Sequence, residues 1–216
     1  MRSKTEILSC LTASGVIAVV RAHKTEQVMP LTEALITGGV LAIEVTMTTP
    51  NALQAIREVS REIQLRGIVG VGTVLDVDTA RAALDAGAEF VVSPMLRPEI
   101  AKFVREADRA VMLGAFTPTE AQEAYEAGSD FIKIFPADVL GPAYIKAILA
   151  PLPHLRIIPT GIAKPDDVTA FMKAGCVAVG LGSLLIPQQA LRDGNWAEIT
   201  RLARQFTGMV SQARQM

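Results

Sequence analysis

The chain has 216 residues, half of them apolar, and a formal net charge of −1. That length supports one sizeable core rather than two, and near-neutrality gives no electrostatic reason to expect nucleic acid or an anionic membrane as partner. With only 5% aromatic residues, the interior must be filled by Ala, Val, Ile and Leu, as in parallel sheets wrapped by helices.

In chain order, Met1-Arg-Ser-Lys-Thr-Glu6 carries an acid early and shows no basic-then-apolar signal pattern. No later apolar stretch reaches the roughly 20 residues a membrane helix needs, so a soluble, cytoplasmic protein is expected. Cys10 and Cys176 are far apart and form neither a disulfide framework nor a zinc pattern, which also suits a reducing compartment.

A short amphipathic run before Val16 is expected to form an extra N-terminal helix. Eight β-branched runs follow, at 16–20, 41–45, 68–72, 90–92, 111–114, 131–134, 156–159 and 177–180. Between them lie segments of helical period at 25–36, 51–63, 79–86, 98–107, 118–127, 143–149 and 166–173, and the tail from 188 to 212 carries the last helix. Gly38-Gly39, Gly87, Gly128 and Gly175 sit where a helix must end before a strand begins. Eight consecutive βα units without a linker or low-complexity tract predict a single domain over 1–216, a (β/α)8 TIM barrel whose floor the N-terminal helix covers.

The active site of such a barrel lies at the C-terminal strand ends. Three charged residues stand out there: Arg21, Glu44 and Lys133. Alternation puts Phe131, Lys133 and Phe135 on one face of the sixth strand and Ile132 and Ile134 on the other. On the second strand it groups Ala42, Glu44 and Thr46 against Leu41, Ile43 and Val45. If the aliphatic faces pack on the helices, lysine and glutamate both point into the barrel. A desolvated ammonium loses its proton more readily than a hydrated one, and the neutral amine is the form that attacks a carbonyl. A nearby carboxylate supplies the proton transfers of imine chemistry. The structural alternatives are a snorkelling lysine and a glutamate that merely pairs with Lys133 or Arg21. Arg21, which ends the first strand, offers a fork for a carboxylate, or is simply a rim arginine. His23 and His154 have no paired spacing and no carboxylate cluster beside them, so no metal or other cofactor is expected. Gly180-Leu-Gly-Ser183 offers backbone N–H groups of the kind that bind phosphate in barrels, or marks tight packing.

These segments resemble those of the 2-keto-3-deoxy-6-phosphogluconate (KDPG) / 4-hydroxy-2-oxoglutarate (KHG) aldolases. The resemblance is carried by Gly15-Val-Ile-Ala-Val-Val-Arg-Ala22, Gly38-Gly-Val-Leu-Ala-Ile-Glu-Val-Thr46, Gly70-Val-Gly-Thr-Val-Leu75, Phe90-Val-Val-Ser-Pro94, Thr117-Pro-Thr-Glu120, Ile132-Lys-Ile-Phe-Pro-Ala137 and Pro159-Thr-Gly161, which span the barrel in order. It implies a trimeric class I aldolase that cleaves KDPG to pyruvate and glyceraldehyde 3-phosphate. Lys133 would form the Schiff base with Phe135 beside it, and Glu44 would be the general base. Thr73 would hold the pyruvyl carboxylate, Pro94 and Thr160 would line the pocket, and Gly161, Gly182 and Ser183 would hold the phosphate.

Two departures bear on substrate. Where some members carry an arginine after Glu-Val-Thr-x, this chain has Thr48, so Arg21 is expected to take the carboxylate. The usual Pro-Thr-Gly-Gly becomes Pro159-Thr-Gly-Ile162. If the second glycine requires positive φ, Ile162 is strained and intrudes on the phosphate site, unless Lys164 compensates. An impaired phosphate site would favour KHG, cleaved to pyruvate and glyoxylate, with oxaloacetate decarboxylation on the side. Two further functions compete: an isomerase or epimerase, which needs a second carboxylate or histidine at a strand end, and a non-catalytic metabolite-binding barrel.

Overall fold

Eight parallel strands order themselves β7-β6-β5-β4-β3-β2-β1-β8, each beside its sequence neighbour except that β8 returns to β1. They are β1 (Val16–Val20), β2 (Ala42–Thr46), β3 (Ile68–Gly72), β4 (Phe90–Val92), β5 (Ala110–Ala115), β6 (Phe131–Ile134), β7 (Ile157–Pro159) and β8 (Val179–Leu181). The seam between β7 and β8 is closed by the Thr160–Gly180 bridge and by the Val177 N–H donating to the Ile157 carbonyl at 3.1 Å. The result is the expected (β/α)8 barrel. The structure, a computed structural model, describes residues 2–215; Met1 and Met216, the ends of the expected domain, lie outside them.

The ten described α-helices are α1 (Lys4–Ala13), α2 (Val28–Thr37), α3 (Ala52–Ile63), α4 (Val77–Asp85), α5 (Pro98–Glu106), α6 (Pro118–Glu126), α7 (Ala137–Leu149), α8 (Pro165–Lys173), α9 (Gln188–Asp193) and α10 (Trp196–Arg214). Two segments depart from the sequence reading. The helix expected from 143 begins at Ala137, because one turn forms before Gly141 (φ 73) and Pro142 break the run. The tail is two helices, parted where Gly194 takes φ 63 and Asn195 caps α10 by accepting from the Glu198 N–H.

Helix α1 starts with a capping box: the Ser3 hydroxyl accepts from the Glu6 N–H, and the Glu6 carboxylate accepts from the Ser3 N–H at 2.7 Å. Lys4 pairs with Asp130 at 2.9 Å and Arg2 with Glu89 at 2.8 Å, pinning the helix beneath the barrel. Its Ile7 and Leu11 are buried with Ile17, Ala42, Ile68 and Phe131, the inward side chains of the strands' lower halves. Each of those two contributes about 1.5–3 kcal/mol by leaving water. The floor is therefore sealed.

The opposite strand faces, Ile43, Val45, Ile132 and Ile134 among them, pack under the helices in the larger outer core. The alternation read from β2 and β6 is thus realised. Of the glycines expected to stop helices, Gly39, Gly87, Gly128 and Gly175 have positive φ and Gly38 does not.

Candidate active site

Strands β2 and β6 stand four places apart in the strand order, on opposite walls of the barrel. Glu44 and Lys133 project inward from them and meet near the axis, Lys133 Nζ lying 3.5 Å from Glu44 Oε1. Both side chains are buried, 6% and 3% exposed for Lys133 and Glu44 respectively. At 3.5 Å the pair is longer than an ordinary hydrogen bond, and Glu44 Oε1 has no hydrogen-bond partner. An unmatched buried carboxylate oxygen aimed at an amine is costly to hold, and such costs concentrate at working sites.

The space for this pair is made by glycine. Gly72 on β3 lies so close to Glu44 that an added Cβ would overlap the carboxylate. Gly114 on β5 is the register partner of Lys133, and a Cβ there would strike the Pro94 backbone. Any side chain at either position would displace part of the site.

Beyond the pair the barrel opens. The Phe135 ring centroid lies 5.5 Å from Lys133 Nζ, within cation–π range, and the Phe135–Pro136 peptide is cis. A cavity of about 420 Å³ lies on the β1, β7 and β8 side, lined by Phe135, Thr160, Gly161, Gly182, Ser183 and Arg21; Lys133 and Glu44 lie below it and are not themselves part of its lining. Six of the residues given a substrate-binding role from sequence therefore share one opening. A larger cleft of about 770 Å³ lies at the opposite face among the helix-to-strand turns, where Arg2 already bridges to Glu89.

Arg21 is held rather than free. Its Nε donates to Thr48 Oγ1 at 3.0 Å, that hydroxyl lies 2.8 Å from Thr46 Oγ1, and Thr46 donates to the Val20 carbonyl at 3.2 Å. Thr48, standing where some family members carry an arginine, thus supports the arginine just past β1. The terminal guanidinium nitrogens make no hydrogen bond among the described residues.

Thr73 and Pro94 lie past the ends of β3 and β4 and are not part of the cavity lining. Thr73 has φ 60, a left-handed backbone that a β-branched residue adopts only at a cost of about 1–3 kcal/mol. Such strain is characteristic of ligand-holding positions.

The Ile162 expectation needs correction. Positive φ falls on Gly161 (φ 86) and not on Ile162, so the isoleucine is unstrained. Its side chain is 4% exposed, packed into the outer core, while also forming part of the cavity wall. Lys164 is the exposed N-cap of α8 and does not line the cavity. His154 is a surface residue bonded to Gln122 at 3.0 Å, whereas His23 contacts the lining residue Gln188 at 2.7 Å.

Sequence reasoning missed Asp138 and Gln188, which line the same mouth. Each lies at the start of a helix, beyond the strand end where charge was sought. Glu120, the other nearby acid, is committed to a cap: the Phe116 N–H and the Thr117 hydroxyl and N–H bond its carboxylate and hold it below the usual carboxylate range. Burial pushes the Cys176 thiol far up, so it is an inert core residue. Among the described residues no three His, Cys, Asp or Glu side chains gather as a metal site.

A buried amine facing a carboxylate inside a (β/α)8 barrel suits Schiff-base chemistry, the chemistry of the class I aldolases, which are carbon–carbon lyases. The family model described as KDPG and KHG aldolase matches residues 7–202, and the chain belongs to that family. It is 34% identical over 192 residues to the 2-dehydro-3-deoxy-phosphogluconate aldolase of Pseudomonas aeruginosa, covering 88% of this chain and 86% of that protein. Identity to the KHG/KDPG aldolase of Escherichia coli K12 is also 34%, over 203 residues, covering 94% and 95%. A KDPG aldolase from Legionella pneumophila, solved with pyruvate captured as a covalent carbinolamine, superposes with a TM-score of 0.85 at 29% identity, over 92% of this chain and 97% of that one.

Proposed function

We propose that this chain cleaves KDPG to pyruvate and glyceraldehyde 3-phosphate through an imine on Lys133, with Glu44 moving the protons. The observation that carries this reading is the buried pair, 3.5 Å apart across the barrel, with one carboxylate oxygen left unbonded. Lys133 Nζ adds to the C2 carbonyl, and Glu44 takes the proton the nitrogen sheds. Glu44 returns that proton to the C2 oxygen to complete the carbinolamine, and a second proton, taken from solvent and delivered by Glu44, lets the C2 hydroxyl leave as water and gives the iminium. The carboxylate then removes the C4 hydroxyl proton; the C3–C4 bond breaks, its electron pair enters the iminium to form an enamine, and C4 departs as the aldehyde. Protonation at C3 and hydrolysis release pyruvate and restore the amine. These steps require no metal or cofactor.

The surrounding residues divide the substrate between them. Arg21, its Nε occupied by Thr48, turns its remaining fork to the C1 carboxylate, with Thr73 and Pro94 closing that side. Phe135 covers the imine. Thr160, Gly161, Gly182 and Ser183 receive the phosphate end, which suits their place in one cavity wall.

KHG is the second substrate reading, favoured by Asp138 and Ile162 in the same cavity, one repelling a phosphate and the other narrowing the space. Steady-state kinetics on both substrates decide the order. We expect kcat/KM for KDPG to exceed that for KHG by at least about tenfold, the worth of one good charge-assisted contact. The reverse ratio would make KHG the working substrate.

We further propose a homotrimer with residues 1–216 as one catalytic unit per copy. Leu75, Met95 and Phe116 are exposed just past the adjacent strands β3, β4 and β5, where a neighbouring copy would cover them. Sedimentation as a monomer at micromolar concentration would contradict it. No helix of the described residues is long and apolar enough to cross a membrane, and both cysteines are free. A cytoplasmic location fits these facts, and recovery in a membrane or secreted fraction would contradict it.

A further inference from the structure

The β8 side of the mouth holds a side chain to which the cleavage as drawn gives no task. Gln188, the first residue of α9, lines the cavity beside Arg21 and Ser183. Its carboxamide oxygen lies 2.7 Å from Nε2 of His23. With Oε1 turned to the ring, the Nε2–H tautomer of His23 donates to it. In that arrangement the carboxamide turns its NH2 away from His23. Its NH2 makes no hydrogen bond among the described residues and is the group Gln188 can offer to whatever fills the cavity.

The contact is built into the fold. The His23 N–H donates to Gln27 Oε1 at 3.1 Å, and Gln27 Nε2 donates to the Leu191 carbonyl on α9 at 2.9 Å. The segment after β1 and helix α9 are therefore stitched together twice, once through Gln27 and once through His23–Gln188. Gln188 and His23 are both exposed, and this stitching holds their contact at the rim.

We propose that Gln188 is a specificity residue for the distal end of the substrate. Its amide N–H groups donate to an oxygen beyond C4, on the phosphorylated end of the sugar acid, and His23 is the residue that positions it. This rests on the cleavage proposed above, because the imine on Lys133 anchors C2 at the axis and the carbons beyond C4 must then extend toward the rim.

The test uses Gln188→Glu, which keeps the size but replaces donors with acceptors, together with Gln188→Ala and His23→Phe. Each is assayed on KDPG and on the shorter, unphosphorylated KHG, with borohydride trapping of pyruvate in the same preparations. Gln188→Glu is expected to lower kcat/KM for KDPG by about 30-fold or more, and Gln188→Ala by about tenfold, with KHG affected less than about threefold. His23→Phe should move KDPG in the same direction by a smaller factor, mainly through KM. Equal losses on both substrates, or none on either, with trapping intact, would overturn the role of Gln188 and leave the cleavage standing. Failure of the unaltered enzyme to trap pyruvate would overturn both.

Discussion

Replacing Lys133 with methionine is expected to lower kcat by at least about 10⁴-fold, because the covalent path is lost and nothing else in the mouth can replace the amine. Methionine preserves most of the volume and apolar stem, so the barrel should remain folded. The substitution does leave Glu44 buried without its cation. Removing one partner of a buried pair typically costs about 3–5 kcal/mol, so a lower Tm should accompany the lost activity. The double variant Lys133→Met/Glu44→Leu removes both charges and should recover much of that stability while staying inactive. Thermal unfolding of the three proteins checks this; a single variant as stable as the unaltered chain would mean that the pair is already screened by water. A single variant that keeps substantial activity would remove Lys133 from the chemistry.

The second large effect concerns Glu44. Glu44→Gln keeps the shape that Gly72 accommodates and abolishes the carboxylate that exchanges protons with the substrate. The loss in kcat should be about 10²–10⁴-fold, the usual worth of a positioned general acid–base. Exchange of the pyruvate methyl hydrogens with solvent deuterium, followed by NMR, should fall by a similar factor, because that exchange runs through the same enamine. The imine itself should still form, only more slowly. Exchange at the original rate would show that another group moves the C3 proton.

How far these residues could be seen in advance depends on what places each one. Strand alternation pointed Lys133 and Glu44 inward on the condition that Ile132, Ile134, Ile43 and Val45 pack beneath helices, and they do. The eight runs and the turn glycines fixed the barrel, and the barrel fixed which strand ends share a mouth. Contacts made between loops were not legible. Nothing in the spacing of Arg21 and Thr48 announces that one holds the other, since their meeting depends on how two loops fold over the rim. Gln188 was missed although the tail helix was read from 188, because a neutral side chain at a helix start, beyond the strand end, carries no charge signal and its place at the mouth depends on the chain path. The backbone at Pro159-Thr-Gly-Ile162 was misjudged for a related reason. A sequence shows that some residue in such a turn needs positive φ, and only the chain path shows that Gly161 takes it.

Thr73 is the opposite case. A resemblance singled it out, whereas its residue type argues against the left-handed backbone it adopts (φ 60). Local preference and the observed conformation disagree there because the tertiary structure imposes the turn.

The most direct measurement is borohydride reduction in the presence of pyruvate, followed by intact-mass and peptide mass spectrometry. An imine reduced on the enzyme should add one pyruvate-derived group per chain, located on the peptide containing Lys133, and the adduct should be absent from Lys133→Met. An adduct on a different lysine, or none at all while the enzyme still cleaves its substrate, would contradict the account.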